Sequence, residues 1–474
     1  MIENIISSMA DGIDENAKEC LLQRAKQLVK RGIKDEATAT EFALNEYKNG
    51  VVVPKKLKIE LYDKVNYMCR CYMDRIARFS LSYDFVPDID ALKTVLVCLF
   101  EKAPIMHSRV VDNHILPYWR VCDYTIDDAL EISESDDLEK SAYDFLVKSI
   151  PITDNAQMKI ALFIKDGKSI LCFRWNHMIM DGGGFKQFVC DICSNYNEYV
   201  KTKTVPLDFR VGTRDYKAVY ADMTPEMKKG AKKQIAGLSA KEKHTLPFTK
   251  KAKDDRNIII KKEVCADAFT KARLIGKKYG ATANDVLVAA YIRAYHRISG
   301  IDKNQKISIS CAVDLRRYIK DTSAIGYTNH TTFMPAFAES FGENFEDTIR
   351  MVAESTKKAK QDKYMGLHGL PLLDVGFSAA AYFWAETVVK TFYTNANLAV
   401  SNVGPINLQA FSLDSNEPTN AFVAGGAKVK PCAAITALSI RDKLCFAMTI
   451  QGNDRDKTMV EKFFDLIEDE FMSL

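Results

Sequence analysis

Strand-like and helix-like apolar patterns alternate along this chain, and one polar stretch interrupts the alternation. The patterns occupy about residues 60–200 and resume from residue 257 to the C-terminus. Between them, residues 205–256 are rich in lysine and contain three scattered prolines, a composition typical of an exposed connection. With 474 residues, the chain is also longer than one hydrophobic core usually requires. The sequence therefore predicts an α/β (α+β) protein made of two lobes.

Four segments follow from this pattern. Residues 1–55 are predicted as a helical N-terminal extension and residues 56–204 as an N-terminal lobe. Residues 205–256 are predicted as a basic crossover linker and residues 257–474 as a C-terminal lobe. The lysines of the linker favour a solvated segment, and the alternative is a surface that receives coenzyme phosphates or an acidic carrier protein.

The strongest local signals lie in the N-terminal lobe. Residues 158–164 and 169–176 have the composition of two strands, and Asp166-Gly167 between them predicts a tight hairpin turn because Asp-Gly accepts positive φ. A helix is predicted from about residue 184 to residue 200.

In the C-terminal lobe, Thr282 is predicted to cap a helix over residues 284–298. The most apolar long segment, residues 370–393, contains three charged residues, so we interpret it as a core helix, with an interfacial helix as the alternative. A strand meander is predicted near residues 421–427, 433–440 and 443–450.

Composition excludes several classes of protein. Hydrophobic residues make up 47% and charged residues 27%, as in soluble globular proteins, and a net charge of +4 gives no footprint for nucleic acid. The N-terminus lacks the pattern of a secretion signal, and no stretch approaches a charge-free membrane span. Several of the 12 cysteines lie in apolar runs, so we expect reduced thiols and a cytoplasmic location. Cys190 and Cys193 have no second pair at zinc spacing, and no metal site is predicted.

The residues best suited to chemistry lie at 175–184, which reads Trp-Asn-His-Met-Ile-Met-Asp-Gly-Gly-Gly and joins a predicted strand to a predicted helix. The imidazole of His177 is mostly neutral at pH 7 and can accept a proton. Asp181 follows one helical turn later, and the glycines from Gly182 onward permit a close approach by substrate. A structural histidine is the alternative interpretation. A phosphate-binding loop is disfavoured because the G-K-[ST] and G-x-G-x-x-G patterns are missing.

The H-x-x-x-D-G spacing at 177–182 resembles the active-site motif of the coenzyme A-dependent acyltransferase superfamily. That superfamily includes chloramphenicol acetyltransferase, alcohol acetyltransferases, wax ester synthases and the condensation domains of nonribosomal peptide synthetases. Three further segments, Gly280–Leu287, Val313–Arg317 and Ser401–Pro405, resemble elements of alcohol acetyltransferases and wax ester synthases in the same order. The resemblance covers about residues 60–474.

The resemblance implies a two-lobed, chloramphenicol acetyltransferase-like fold, in which each lobe is a mixed sheet flanked by helices. The active site would be a tunnel between the lobes, with His177 as the general base near its middle. The implied co-substrate is acyl-CoA or acyl-pantetheine, with no bound cofactor, and the acceptor is a hydroxyl or an amine. The implied partners are these small molecules and an acyl-carrier protein. We expect a monomer that binds no nucleic acid and is not an integral membrane protein.

The same resemblance implies roles for the other site residues. Asp181 and Asn402 would join His177 in the catalytic centre, and Ser401 would bind substrate beside the developing oxyanion. Asp181 would pair with Arg316, or with Arg317 as second choice, and Arg316 and Gly182 would support the site. His330 falls near the predicted lobe interface and is a weaker candidate for lining the tunnel.

Departures from the family pattern leave alternatives. The D-F-G-W-G segment of the plant branch is missing, which argues against that branch. Asn176 stands where some condensation-type relatives have a second histidine, which makes ester formation the preferred prediction over peptide condensation. The alternatives are a non-catalytic or condensation-type domain that binds a carrier protein, and a wax ester or diacylglycerol acyltransferase working at a lipid surface.

Overall fold

The computed structural model describes residues 2–9, 14–205, 212–233, 244–367, 369–392 and 396–474, so residues 206–211 and 234–243 of the predicted linker lie outside the described residues. The α-helices are α1 Ile2–Met9, α2 Glu15–Arg31, α3 Glu36–Lys48, α4 Leu61–Met68, α5 Ile89–Lys102, α6 Leu138–Leu146, α7 Gly182–Thr202, α8 Pro225–Lys233, α9 Ala266–Lys277, α10 Ala283–Ser299, α11 Phe345–Gln361, α12 Leu370–Ser378, α13 Tyr382–Phe392 and α14 Asp454–Met472. The strands are β1 Lys56–Lys58, β2 Ile76–Tyr83, β3 Ser108–Val111, β4 Tyr118–Val121, β5 Leu130–Glu134, β6 Met158–Lys165, β7 Lys168–Asn176, β8 Arg256–Val264, β9 Ile307–Asp314, β10 Thr331–Ala338, β11 Leu398–Pro405, β12 Asn420–Ala424, β13 Lys428–Val429, β14 Ala433–Ile440 and β15 Lys443–Gly452.

The N-terminal lobe is built on a five-stranded sheet in the order β12-β2-β7-β6-β5. The predicted hairpin between β6 and β7 is confirmed, with Lys165 opposite Lys168. Asp166 and Gly167 have φ angles of 49° and 75°, as a two-residue turn with positive φ at both positions requires. β7 is the middle strand of the sheet and is buried from its second residue onward. Its last residue, Asn176, therefore lies in the middle of the row of strand ends on one side of the sheet.

The C-terminal lobe is built on a seven-stranded sheet in the order β10-β9-β11-β14-β15-β13, with β8 also paired to β15. Helices α9, α10, α11 and α14 share its apolar core. The predicted cap of α10 is confirmed, because the Thr282 hydroxyl accepts from the Asp285 N–H (3.3 Å) and the Asp285 carboxylate accepts from the Thr282 N–H (2.7 Å).

The predicted meander is wrong for its first strand. β14 and β15 form a hairpin in the C-terminal sheet, but β12 pairs antiparallel with β2 in the N-terminal sheet. The chain therefore crosses from one lobe to the other and back, and β12 covers an edge of β2 that would otherwise be open. Its apolar pattern could not show which sheet it joins, because both sheets bury strands of the same composition.

The interpretation of residues 370–393 as one core helix is also wrong. The segment folds as two helices, α12 and α13, which meet through the stacked rings of Phe377 and Tyr382 (5.7 Å between centroids). The second helix starts where a neighbouring loop satisfies its first backbone donors, since the N–H groups of Tyr382 and Phe383 donate to carbonyl oxygens of Ile115 and His114. Within the described residues, no helix is both long enough and apolar enough to cross a bilayer.

The N-terminal helices pack onto the N-terminal lobe. Apolar residues of α1 and α2 belong to the same buried cluster as the core of that lobe. Arg24 and Arg31 of α2 both form ion pairs with Glu101 of α5, whose side chain is fully buried. A buried carboxylate that is shared by two arginines ties α2 firmly to α5.

Candidate active site

His177 is the first residue of the loop 177–181, which connects the end of β7 to the start of α7 and is called here the His177 loop. The ring of Trp175, at the end of β7, stacks on the ring of Phe185, in the first turn of α7 (3.9 Å between centroids, 4° between planes). The Trp175 Nε1–H also donates to the carbonyl oxygen of Met180 (3.0 Å). Trp175 thus holds the end of β7 against both the first turn of α7 and the loop between them.

Asp181 closes the loop and is the N-cap of α7. Its Oδ1 accepts from the Gly184 N–H (2.8 Å) and lies 3.0 Å from Arg316 Nη2. Its Oδ2 accepts from Arg316 Nη1 (3.1 Å), the His330 N–H (2.6 Å) and the Thr331 hydroxyl (2.8 Å). The expected pair between Asp181 and Arg316 is therefore present, and it is bidentate.

This pair joins the two lobes, since Asp181 caps α7 and Arg316 follows β9. Burial opposes ionisation of the Asp181 carboxyl, but the charge of Arg316 and the hydrogen bonds it receives hold its pKa below the usual range. Arg316 also donates to the carbonyl oxygen of Thr328 (2.9 Å) and to Asp314 (3.2 Å). The His177 loop is therefore fixed from the C-terminal lobe.

The carbonyl oxygens of the loop are bound by two residues that the sequence did not single out. Asn329 Nδ2 donates to the carbonyl of His177 (2.8 Å). Arg214 Nη2 donates to the carbonyls of Met178 and Ile179, each at 3.0 Å. Charge-assisted bonds of this kind are stronger than neutral ones, so Arg214 is a positioning residue for the loop.

Arg214 is itself held in place by a buried carboxylate. Asp63 of α4 accepts two bonds from its guanidinium, both 3.0 Å long, and a third from Trp119 Nε1 (2.9 Å). Asp63 is 1% exposed. The sequence offered no motif for this pair, because its members are separated by 151 positions and meet only in the folded chain.

The ring of His177 is enclosed on one side. Its Nδ1 is buried and has no hydrogen-bond partner among the described residues, although the residue as a whole keeps some exposure. Burial lowers the pKa of His177, and the nearby cation of Lys428 acts in the same direction, while Asp181 and Asn329 partly oppose it. The imidazole is therefore neutral at pH 7 and is able to accept a proton.

Two further polar side chains are buried near the loop without partners. The hydroxyl of Tyr62 and both ring nitrogens of His330 have no hydrogen-bond partner among the described residues. Their rings meet edge to face (6.2 Å between centroids), and the backbone N–H of His330 donates to Asp181. Buried polar groups normally have partners, so this pair marks a place suited to a polar group of a bound molecule.

Ser401, Asn402 and Gly182 lie where β11 of the C-terminal lobe approaches the start of α7. A Cβ atom added at Gly182 would lie 3.5 Å from Cγ2 of Val403. Asn402 Oδ1 accepts from the Gly404 N–H (2.9 Å), which leaves the amide NH₂ as the donor end. Ser401 and Asn402 are partly exposed, so their side chains can still be reached by a bound molecule.

The need for glycine is strongest after Gly182. A Cβ at Gly184 would lie 2.9 Å from the backbone oxygen of Thr328, and a Cβ at Gly183 would lie 2.7 Å from Arg316 Nη1. Both contacts are with the opposite lobe, and at Gly184 the obstacle is backbone that cannot rotate away. The run of glycines therefore lets α7 begin against the C-terminal lobe.

A cavity of about 680 Å³ lies elsewhere, beside α10 and α14, and its lining includes Arg293, Arg297 and Glu470. Both arginines form ion pairs with Glu470. The lining contains no residue of the H-x-x-x-D-G motif.

No protein-family model matches the chain, and no curated protein matches it. Solved structures with the same fold do match. Trichothecene 15-O-acetyltransferase from Fusarium sporotrichioides is 12% identical, and the match covers 88% of this chain and 95% of that chain with a TM-score of 0.63. The first condensation domain of the calcium-dependent antibiotic synthetase is 13% identical, over 88% and 96% of the two chains, with a TM-score of 0.65.

A third match is the starter condensation domain of rhizomide synthetase, in complex with C8-CoA and Leu-SNAC. It is 10% identical, over 88% of this chain and 95% of that chain, with a TM-score of 0.63. The chain therefore has the two-lobed, chloramphenicol acetyltransferase-like fold that the sequence resemblance implied, with mixed sheets and flanking helices.

Proposed function

We propose that this protein is an acyltransferase that moves an acyl group from a thioester to an acceptor hydroxyl or amine, with His177 as the general base. One observation supports this most strongly: a neutral imidazole, partly exposed, stands at the junction of two lobes on a loop that Arg316 and Arg214 hold in place. A general base needs a pKa near or below the working pH and a fixed position.

In the proposed reaction, Nε2 of His177 takes the proton of the acceptor as its oxygen or nitrogen attacks the thioester carbonyl. The carbonyl oxygen becomes an oxyanion, and Asn402 and Ser401 are the proposed donors to it. The C–S bond then breaks, and the proton held by His177 goes to the departing thiolate. Products are the ester or amide and the free thiol, and His177 is neutral again. General base catalysis of this type typically contributes about 10²–10⁴-fold.

Asp181 acts through the loop in this proposal and does not touch substrate. Both of its carboxylate oxygens accept hydrogen bonds from protein groups, including Arg316 and the backbone N–H groups of Gly184 and His330. It keeps the His177 loop in register with the C-terminal lobe, and Arg214 does the same from the loop's other side. Asp181, Arg316 and Arg214 are therefore positioning residues.

The test is product analysis with a panel of acyl-CoA thioesters of increasing chain length, each incubated with alcohols and amines. We expect mass spectrometry to show ester or amide with at least one pair, together with free coenzyme A. His177→Ala should lose at least 10²-fold in rate while its circular dichroism spectrum and unfolding midpoint stay close to those of the wild type. His114→Ala, in an exposed loop, is the matched control and should keep full activity.

The alternative is a carrier-protein-binding domain without catalysis. It predicts tight binding of an acylated carrier protein and no thiol release with any donor. Equal thiol release by the wild type and His177→Ala would rule out the proposed base.

A further inference from the structure

The helices α12 and α13 present an apolar surface to solvent. The exposed fractions are 55% for Leu372, 65% for Val375, 42% for Phe383 and 58% for Trp384. Val388, one turn after Trp384, is 53% exposed. The other exposed residues of α13 up to position 391 are two uncharged threonines, and its Lys390 side chain is 33% exposed, so charge is sparse on the outer face of this helix.

The loop between β3 and β4 extends this surface. Ile115 and Leu116 at its tip are 70% and 63% exposed. The carbonyl oxygen of Ile115 accepts from the Tyr382 N–H (2.9 Å), so the tip lies against the first turn of α13. We call the exposed side chains of α12, α13 and this tip the apolar face. Contiguous exposed patches of large apolar residues mark sites of interaction.

A row of cations lies on the sheet that bears the tip. Lys56 of β1 is directly opposite Arg120 of β4, and Arg120 is directly opposite Arg109 of β3. Residues directly opposite one another project to the same side of a sheet, and like charges in that position repel. None of the three forms a salt bridge with a carboxylate of the described residues, and Lys56 and Arg120 are exposed.

We propose that the apolar face and this basic row dock the protein onto an anionic lipid bilayer. A phosphate-bearing surface relieves the repulsion among the three cations and attracts them from solution. Trp384 and Phe383, whose rings are 4.3 Å apart, are residue types that favour the headgroup region. Ile115 and Leu116 project from a loop tip, which suits insertion between headgroups more than seating in a protein groove.

The experiment is co-sedimentation with sucrose-loaded vesicles of phosphatidylcholine alone or with added phosphatidylserine. We expect the wild-type protein to sediment with the anionic vesicles and to be released by raised salt. Ile115→Ser with Leu116→Ser should weaken partitioning by about tenfold or more, because two large apolar side chains are lost. Lys56→Glu with Arg120→Glu should weaken it on anionic vesicles only.

Leu274→Ser is the matched control. This leucine, on α9 of the C-terminal lobe, is 56% exposed and far in sequence from the apolar face. Its replacement should leave partitioning unchanged. A wild type that stays in the supernatant with anionic vesicles overturns the proposal, and so does an equal loss in the control and the tip variant. Binding to an acidic carrier protein in place of vesicles also overturns it.

Intrinsic fluorescence provides a second measurement that needs no variant. The chain has three tryptophans, and Trp119 and Trp175 are 0% and 2% exposed. Trp384 is therefore the one that can change its surroundings on docking. We expect its emission to shift to shorter wavelength when anionic vesicles are added. If the protein sediments with the vesicles but its emission spectrum does not change, the proposed orientation is contradicted. Neither assay depends on acyl transfer, so its outcome is separate from that of the proposed function.

Discussion

Asp181 accepts hydrogen bonds from residues of both lobes, and Arg316 neutralises its charge. Its pKa lies below the usual range because Arg316 and the backbone donors outweigh the effect of burial. Asp314 shares the same arginine but its side chain is 53% exposed. Replacing each carboxylate in turn therefore distinguishes the energetic effect of a buried ion pair from that of an exposed one.

Asp181→Ala should lower the free energy of unfolding by about 3–5 kcal/mol, since Arg316 would lose its buried partner. Asp314→Ala should cost about 0–1 kcal/mol, as exposed pairs do. Urea unfolding of both variants measures these values. Similar losses in the two variants would contradict the account of Asp181 as the anchor of the loop.

Tyr62 is expected to contact substrate because its hydroxyl is buried without a protein partner. Tyr62→Phe should leave the unfolding midpoint unchanged or slightly raised, while KM for the acceptor rises. Tyr83 is the control, since its buried hydroxyl donates to the Phe411 carbonyl (2.8 Å) and Tyr83→Phe should cost about 1–3 kcal/mol. A loss of stability in Tyr62→Phe equal to that of Tyr83→Phe, with unchanged KM, would show that the hydroxyl is structural.

At the scale of elements, the start of α7 depends on glycine at particular positions. Gly184→Ala should destabilise the protein by about 1–3 kcal/mol and reduce turnover, because its Cβ would press on the Thr328 carbonyl. Gly182→Ala should be tolerated, since its nearest contact, with Val403, is at ordinary distance. Thermal unfolding and initial rates of the two variants test this, and equal effects would contradict the packing described for the helix start.

Elements with strong local patterns could be predicted from the sequence. The β6–β7 hairpin followed from Asp166-Gly167, and the start of α10 followed from the Thr282 cap. The partner of β12 and the break between α12 and α13 could not be predicted, because each is decided by a segment about 270–340 residues away in the chain.

The candidate site shows the same division. His177 and Asp181 stood out by their spacing, and the pairing with Arg316 followed from family resemblance. Arg214, Asp63 and Asn329 carry no local signal. Arg214 and Asn329 bind the loop from distant parts of the chain, and Asp63 holds Arg214. His330 was only a weaker candidate in the sequence, and Tyr62 is notable because folding leaves its hydroxyl without a hydrogen-bond partner among the described residues.

At the scale of the whole molecule, the lobe junction should respond to acid. Burial and the charge of Arg316 lower the pKa of His330 to about 4, against the opposing effects of Asp181 and Asp215. The unfolded chain, with a histidine pKa near 6.5, therefore binds this proton first as the pH falls. The contribution of the uncharged His330 to the free energy of unfolding is therefore fully present above about pH 6.5. It decreases by about 3 kcal/mol as the pH falls towards 4.

Urea unfolding across this range measures the loss. His330→Gln should flatten the decline of stability between about pH 6.5 and pH 4 relative to the wild type. An identical pH dependence in wild type and His330→Gln would contradict the burial of an uncharged imidazole at the junction.

The most direct test of the account is the pH dependence of kcat/KM, measured as thiol release from an acyl-CoA thioester with an alcohol acceptor. An alcohol does not titrate in this range, so the acid limb reports the free enzyme's base. We predict that activity falls on the acid side with an apparent pKa below 6.5, because burial lowers the pKa of His177, and that His177→Ala removes this limb with most of the activity. An acid limb that persists unchanged in His177→Ala, or a wild-type limb above pH 6.5, would contradict the proposal that His177 is the base.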